Sequence, residues 1–303
     1  MTAAGSGLLC LAIAWRAAHA ALEDLAEGFH SDIDETSVSA GFQHTCAIQD
    51  DGREFGGRVV CWGSDSHGQA SPPDGHFVQV SAGQFHSCGV QVDETVKCWG
   101  APGLGASPPG LFLQVSVGER HSCGILKDGT VRCWGKNTNG QSDAPLGKYV
   151  QVSSGKDHSC ALRDNGLVAC WGGNSHGHSN APQDVQFKQI SASLWHHSCG
   201  IDMQGDMHCW GANHLGQAPP FETGPFEQVS AGAKMTCAIR KGKAGLRCWG
   251  HDHFDVHRPP NATFEQVTIN TLHACGLTVD SSVKCWGNTA ADAHAVPPSF
   301  VAA

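Results

Sequence analysis

One cysteine pattern recurs seven times along the chain: a Cys two residues after a His (Met235 in the sixth copy), followed ten to fifteen residues later by the Cys of a Cys-Trp-Gly. The first cysteines are Cys46, Cys88, Cys123, Cys160, Cys199, Cys237 and Cys275, and their partners are Cys61, Cys98, Cys133, Cys170, Cys209, Cys248 and Cys285. Successive copies start 42, 35, 37, 39, 38 and 38 residues apart, a period that belongs to solenoids, propellers and arrays. Fourteen of the fifteen cysteines fall in the pattern, and an evenly paired set points to disulfides and an oxidising compartment.

The third copy shows how one repeat folds. Phe112–Gly118, His121–Leu126 and Thr130–Gly135 read as three strands, with Lys127-Asp128-Gly129 as a three-residue hairpin loop whose glycine takes the left-handed conformation. Folding about Asp128 sets Cys123 opposite Cys133 and Ile125 opposite Val131, within reach of a disulfide. In every copy the residues two after the first Cys and two before the second are aliphatic or Met, from Ile48 and Val59 to Leu277 and Val283. That is one buried face of alternating strands. On the other face the Trp of Cys-Trp-Gly lies opposite small residues such as Ser87, Ser122 and Ala274. Both faces are therefore packed, as in a propeller blade. The fold class expected is all-β: a seven-bladed β-propeller with its ring closed by pairing of the N- and C-terminal segments. The first copy has Glu35 where the others have an aromatic, and Phe300 near the end of the chain supplies the missing piece. A fourth strand would have to come from the variable connectors.

The unit V-S-A-G-x-x-H-x-C, then D-G-x-V-x-C-W-G, with Gly68-Gln69, Gly140-Gln141 and Gly216-Gln217 trailing it, resembles the repeat of the regulator of chromosome condensation family. The resemblance covers about residues 35 to 303 and implies a seven-bladed propeller. Cysteine-bearing versions resemble crinkly-type receptor ectodomains. The family serves many roles, so the resemblance fixes no activity.

Residues 1–20 read as a signal peptide, with the apolar run Leu8–Trp15 and the small-x-small Ala18-His19-Ala20. The alternative is an N-terminal helix capping the repeats. Residues 21–34 read as a linker and 35–303 as the propeller domain. No other apolar stretch approaches membrane-spanning length, so no membrane span is expected after signal removal. The net charge of −9, with scattered Lys and Arg, leaves no stripe for a phosphate backbone, so nucleic acid is not an expected partner. The 19 histidines would bring the chain towards neutrality in mildly acidic surroundings.

No nucleophile elbow or phosphate-binding Gly-rich loop is present, and the chain is read as no enzyme, with no catalytic residue and no cofactor. A His-x-Cys…Cys metal site is disfavoured, because zinc takes thiolates from tight turns and needs four ligands. No metal is expected, and the repeat histidines read as buried hydrogen-bonding partners. The connectors after each Cys-Trp-Gly vary in sequence and carry His67, His176, His178, His214 and His253, which mark candidate binding loops. Asn261-Ala262-Thr263 is a glycosylation sequon. The function expected is that of a secreted or lumenal monomeric module recognising an unidentified protein or carbohydrate through one rim. The alternative is a cytoplasmic scaffold of the exchange-factor or adaptor type with reduced cysteines.

Overall fold

The computed structural model describes residues 38–50, 56–242, 245–252, 255–288 and 295–300. The expected signal peptide 1–20, the linker 21–34, Cys10, His253 and residues 301–303 lie outside them. The described chain is all-β apart from one 3-10 turn, Pro298–Phe300. Twenty-one strands form seven antiparallel groups of three, the blades of a propeller. A single residue pair, Gly57 with Phe77, joins the first two groups along one edge.

The pairing within each group follows from alternation. In the third unit, Phe112–Val117 pairs with His121–Leu126, which pairs with Val131–Gly135. Cys123 stands opposite Cys133, Ile125 opposite Val131 and Ser122 opposite Trp134. The same register recurs from Cys46 with Cys61 to Cys275 with Cys285. All seven pairs are disulfide-bonded, with Cα atoms 4.0–4.1 Å apart. Gly129 has φ +80°, as the hairpin requires. In the second and seventh units Glu94 and Ser281 hold the equivalent place at φ +65° and +62°.

The two faces of each sheet pack against different neighbours. Cys123 and Ile125 of the third unit meet Tyr149, Val152, Ala161 and Trp171 of the fourth. The seventh unit packs on the first in the same manner, with Cys275 and Val283 against Val38, Ala47, Trp62 and Phe300. Phe300 thus fills the first unit's aromatic place, its ring 5.8 Å from Trp62 where Phe77 lies 6.1 Å from Trp99. It arrives on a 3-10 turn and not on the strand expected from the sequence. Pairing by the residues beyond it falls outside the described chain. Phe112, Phe187 and Phe226 are fully buried, each worth roughly 1.5–3 kcal/mol of apolar transfer.

Side chains also cross the seams to backbone. Gln79, Gln114, Gln151, Gln189, Gln228 and Gln266 each accept, through Oε1, the N–H of a residue in the next unit's first strand at 2.7–3.3 Å. Ser and Thr hydroxyls two residues on, from Ser39 to Thr268, accept a second N–H. The fourth strand is rudimentary among the described residues. It amounts to one isolated pair in the fifth unit, Met207 with Glu222.

Where the repeat histidine is missing, its partner is missing too. Met235 and Ala274 are both buried in the same apolar cluster, while every other seam carries a His and a hydroxyl at these places. Met235→His alone should therefore destabilise by about 1–3 kcal/mol, the cost of a buried polar group left unpaired. Adding Ala274→Ser should recover part of that loss. Denaturant midpoints of the two single variants and the double variant, under oxidising conditions, give the coupling; additive changes would refute a paired seam contact.

Candidate functional site

At one end of the sheets, the turn between the first and middle strands meets the connector that leaves Cys-Trp-Gly. The repeat histidine opens the middle strand there, opposite the Gly of Cys-Trp-Gly, as His86 stands opposite Gly100. Its Nε2 reaches across the seam to a hydroxyl of the next unit: His44 to Ser87, His86 to Ser122, His121 to Ser159, His158 to Ser198, His197 to Thr236 and His273 to Thr45, at 2.8–2.9 Å. In four seams the hydroxyl donates onward to a connector carbonyl, that of Gln69, Gln141, His178 or Gln217. The hydroxyl proton is then committed, so the oxygen accepts and the imidazole donates from Nε2. Trp99, Trp171 and Trp210 donate their indole N–H to three of these same carbonyls at 2.9–3.0 Å. One peptide oxygen thus anchors the connector, the next unit's hydroxyl and its tryptophan.

Burial keeps five of these imidazoles neutral. Desolvation, reinforced by neighbouring imidazoles, lowers His44, His86 and His197 to about 3. Desolvation lowers His121 to about 4 and His158 well below the usual range. The expected drift towards neutrality in mild acid therefore does not extend to these five while the chain is folded.

The connector residues fare differently from one another. His67 is exposed, bonded through Nδ1 to Ser66 and 5.5 Å from the Phe85 ring. His176 and His214 are exposed, as is Asn261. His178 corrects the expectation: it is fully buried, because the repeat's glutamine place turns inward. Asp252 and Asp255 are turn formers, Asp252 accepting the His257 N–H and Asp255 paired with Arg258.

Sequence reasoning missed the residues around the fifth unit's turn. Ser193 N–H bonds the His197 carbonyl across one residue more than Gly83 N–H does to His86. The extra residue displays Trp195, with Lys156 and Lys234 ammonium groups 4.8 and 5.5 Å from its ring centroid. His196 follows, stacked on His176 at 4.5 Å. The signal available was the length of Ser193–His197, one residue beyond the other copies.

Blades of three strands, each stapled by its own disulfide and six of the seven sealed to the next by a histidine, define a cysteine-reinforced β-propeller. The regulator of chromosome condensation (RCC1) repeat matches residues 36–69, 77–105, 112–141, 149–177 and 187–217. The chain belongs to that repeat family. Among solved structures it is similar to the entire ectodomain of the Physcomitrella patens receptor kinase CR4, at 27% identity and a TM-score of 0.70, covering 83% of this chain and 72% of that one. It is also similar to the crinkly ectodomain of the Arabidopsis thaliana receptor kinase ACR4, at 26% identity and a TM-score of 0.69, covering 83% and 94%. Prp20p of Saccharomyces cerevisiae shares the fold at 16% identity and a TM-score of 0.62, over 76% and 79%.

The buried histidines set an acid limit. Their folded values lie below the 6.5 of a free imidazole, so below pH 6.5 the unfolded chain takes up protons that the folded chain refuses. Stability is full above that pH and falls as pH drops, by up to about 1.4 kcal/mol per pH unit for each histidine. Between pH 6.5 and 5, before carboxylates contribute, the unfolding midpoint should fall steadily, and His121→Gln should flatten the slope. A midpoint independent of pH over that range would refute the buried neutral state.

Proposed function

We propose that this chain is a non-enzymatic binding module of an extracellular or secretory-pathway compartment, recognising a protein or glycan through the connectors and turns of one rim. The observation that carries the reading is the set of seven disulfides together with the likeness to two plant receptor ectodomains. Disulfides at this density persist in oxidising compartments and are rare where glutathione keeps thiols reduced. Among the described residues no helix is long and apolar enough to cross a membrane.

The rim supplies what recognition needs. Strands repeat from unit to unit while connectors differ, so the scaffold holds variable groups on fixed supports. Around Trp195 an aromatic face is flanked by two ammonium groups in a chain of net charge −9. Such a spot suits a carboxylate-bearing protein segment or acidic glycan, with the indole as apolar platform and the lysines as charge partners.

Alkylating the denatured native-source protein without reductant should leave the fourteen repeat cysteines unmodified. Fourteen alkylated thiols would overturn the extracellular reading and favour the cytoplasmic scaffold. Binding is tested on glycan arrays and on extracellular protein panels with tag-free protein. Trp195→Ala and the Lys156→Ala/Lys234→Ala pair should weaken capture about tenfold or more, at an unchanged unfolding midpoint. Equal capture by these variants would remove the Trp195 rim from the interface.

A further inference from the structure

One seam holds donors that the repeat does not need. In three connectors the glutamine turns its side chain back on its own loop: Gln69 Oε1 accepts His67 N–H, Gln141 accepts Asn139 N–H and Gln217 accepts Leu215 N–H, at 2.8–2.9 Å. After the fourth unit the same place is His178. Its backbone keeps the repeat's task, the carbonyl accepting from Ser198 and Trp210 at 3.2 and 3.0 Å. Its side chain does something else. The imidazole is fully buried, neither ring nitrogen has a hydrogen bond, and the ring centroid lies 4.6 Å from that of His158. Nε2 stands 3.4 Å from Asp157 Oδ1.

Asp157 is equally particular to this unit. The residue before the repeat histidine is Gln43, Phe85, Arg120, His196 or Leu272 in the other copies, and Lys234 precedes Met235. A carboxylate and an extra imidazole therefore enter at one seam only. His158 is already oriented for them. Its Nε2–H donates to Ser198 Oγ at 2.9 Å and Ser198 donates on to the His178 carbonyl, so the lone pair of His158 sits on Nδ1. A ligating imidazole whose other N–H is held by a hydrogen bond is the usual arrangement at metal centres.

We infer that Asp157, His158 and His178 form a binding site for one divalent transition-metal ion at the seam of the fourth and fifth units. The three donor atoms all lie within 4.8 Å of one another. Ligands about 2.0–2.2 Å from a tetrahedral zinc stand roughly 3.3–3.6 Å apart, and the 3.4 Å between Asp157 and His178 matches one such edge. Two imidazoles and one carboxylate select zinc, cobalt, nickel or copper over calcium and magnesium, which take oxygen ligands. Three protein ligands leave a fourth tetrahedral position for a further donor. His196 is a further imidazole nearby, its ring centroid 5.3 Å from that of His178.

The site departs from the sequence expectation of no metal, and it uses none of the cysteines on which a metal reading had been weighed.

Oxidised, tag-free protein stripped with a chelator is titrated with zinc by calorimetry and with cobalt by visible absorption. One equivalent per chain should bind, with a cobalt d–d spectrum and a raised unfolding midpoint in zinc. His178→Gln restores the repeat's own residue and should fold. It should lose the cobalt spectrum and weaken zinc more than about tenfold, while Asp157→Asn should weaken it similarly. His214→Ala, at an exposed histidine in another connector, should leave zinc and cobalt binding unchanged. Wild-type protein that takes up no zinc at micromolar concentration overturns the assignment, as does a His178→Gln variant binding one equivalent as tightly as wild type.

Discussion

A three-stranded sheet exposes the edge of its first strand, and unsatisfied N–H groups there are both costly and adhesive. This molecule answers with side chains lent across each seam. A glutamine and a hydroxyl residue of one unit cap two N–H groups of the next, and the repeat histidine binds the next unit's hydroxyl nearby. Apolar packing brings the sheets together but tolerates sliding. These bonds do not, because each has one geometry, so they fix how far every unit is rotated on its neighbour. The rim follows from that setting: connectors are anchored through carbonyls such as Gln69 O, which holds a hydroxyl and an indole of the next unit.

Much of this was legible in the sequence for a physical reason. Strand alternation has period two, so Cys123, Ile125, Val131 and Cys133 could be placed on one face and paired by counting from Asp128. The histidines were recognisable as buried because Met235 stands for one of them, though their partners could not be named. The clue was Ala274, the one copy lacking a hydroxyl beside the first Cys. Other features depend on distances between units, which no within-unit count reveals. The glutamines from Gln79 to Gln266 recur at one place in six copies, yet only the seam explains them. His178 read as a surface residue because its neighbours in sequence are polar, and only the inward turn of the repeat's Gln position buries it.

Regularity and departure divide the labour. Where the copies agree, residues hold sheets together; where one copy departs, chemistry accumulates. The fourth and fifth units depart twice, through the extra residue displaying Trp195 and through the Asp157–His178 pair. Both lie on firm supports, the flanking strands being among the most buried in the chain. Loops so mounted hold side chains in place without ordering them anew at each encounter.

Each covalent staple spans only ten to fifteen residues and never leaves its own hairpin. A chain emerging into an oxidising compartment can therefore complete every bridge as soon as that hairpin has appeared, without waiting for distant sequence. No sulfur must choose among partners hundreds of residues away, so correct pairing follows the order of synthesis. For the same reason a whole repeat can be gained or lost by its gene without stranding a single sulfur.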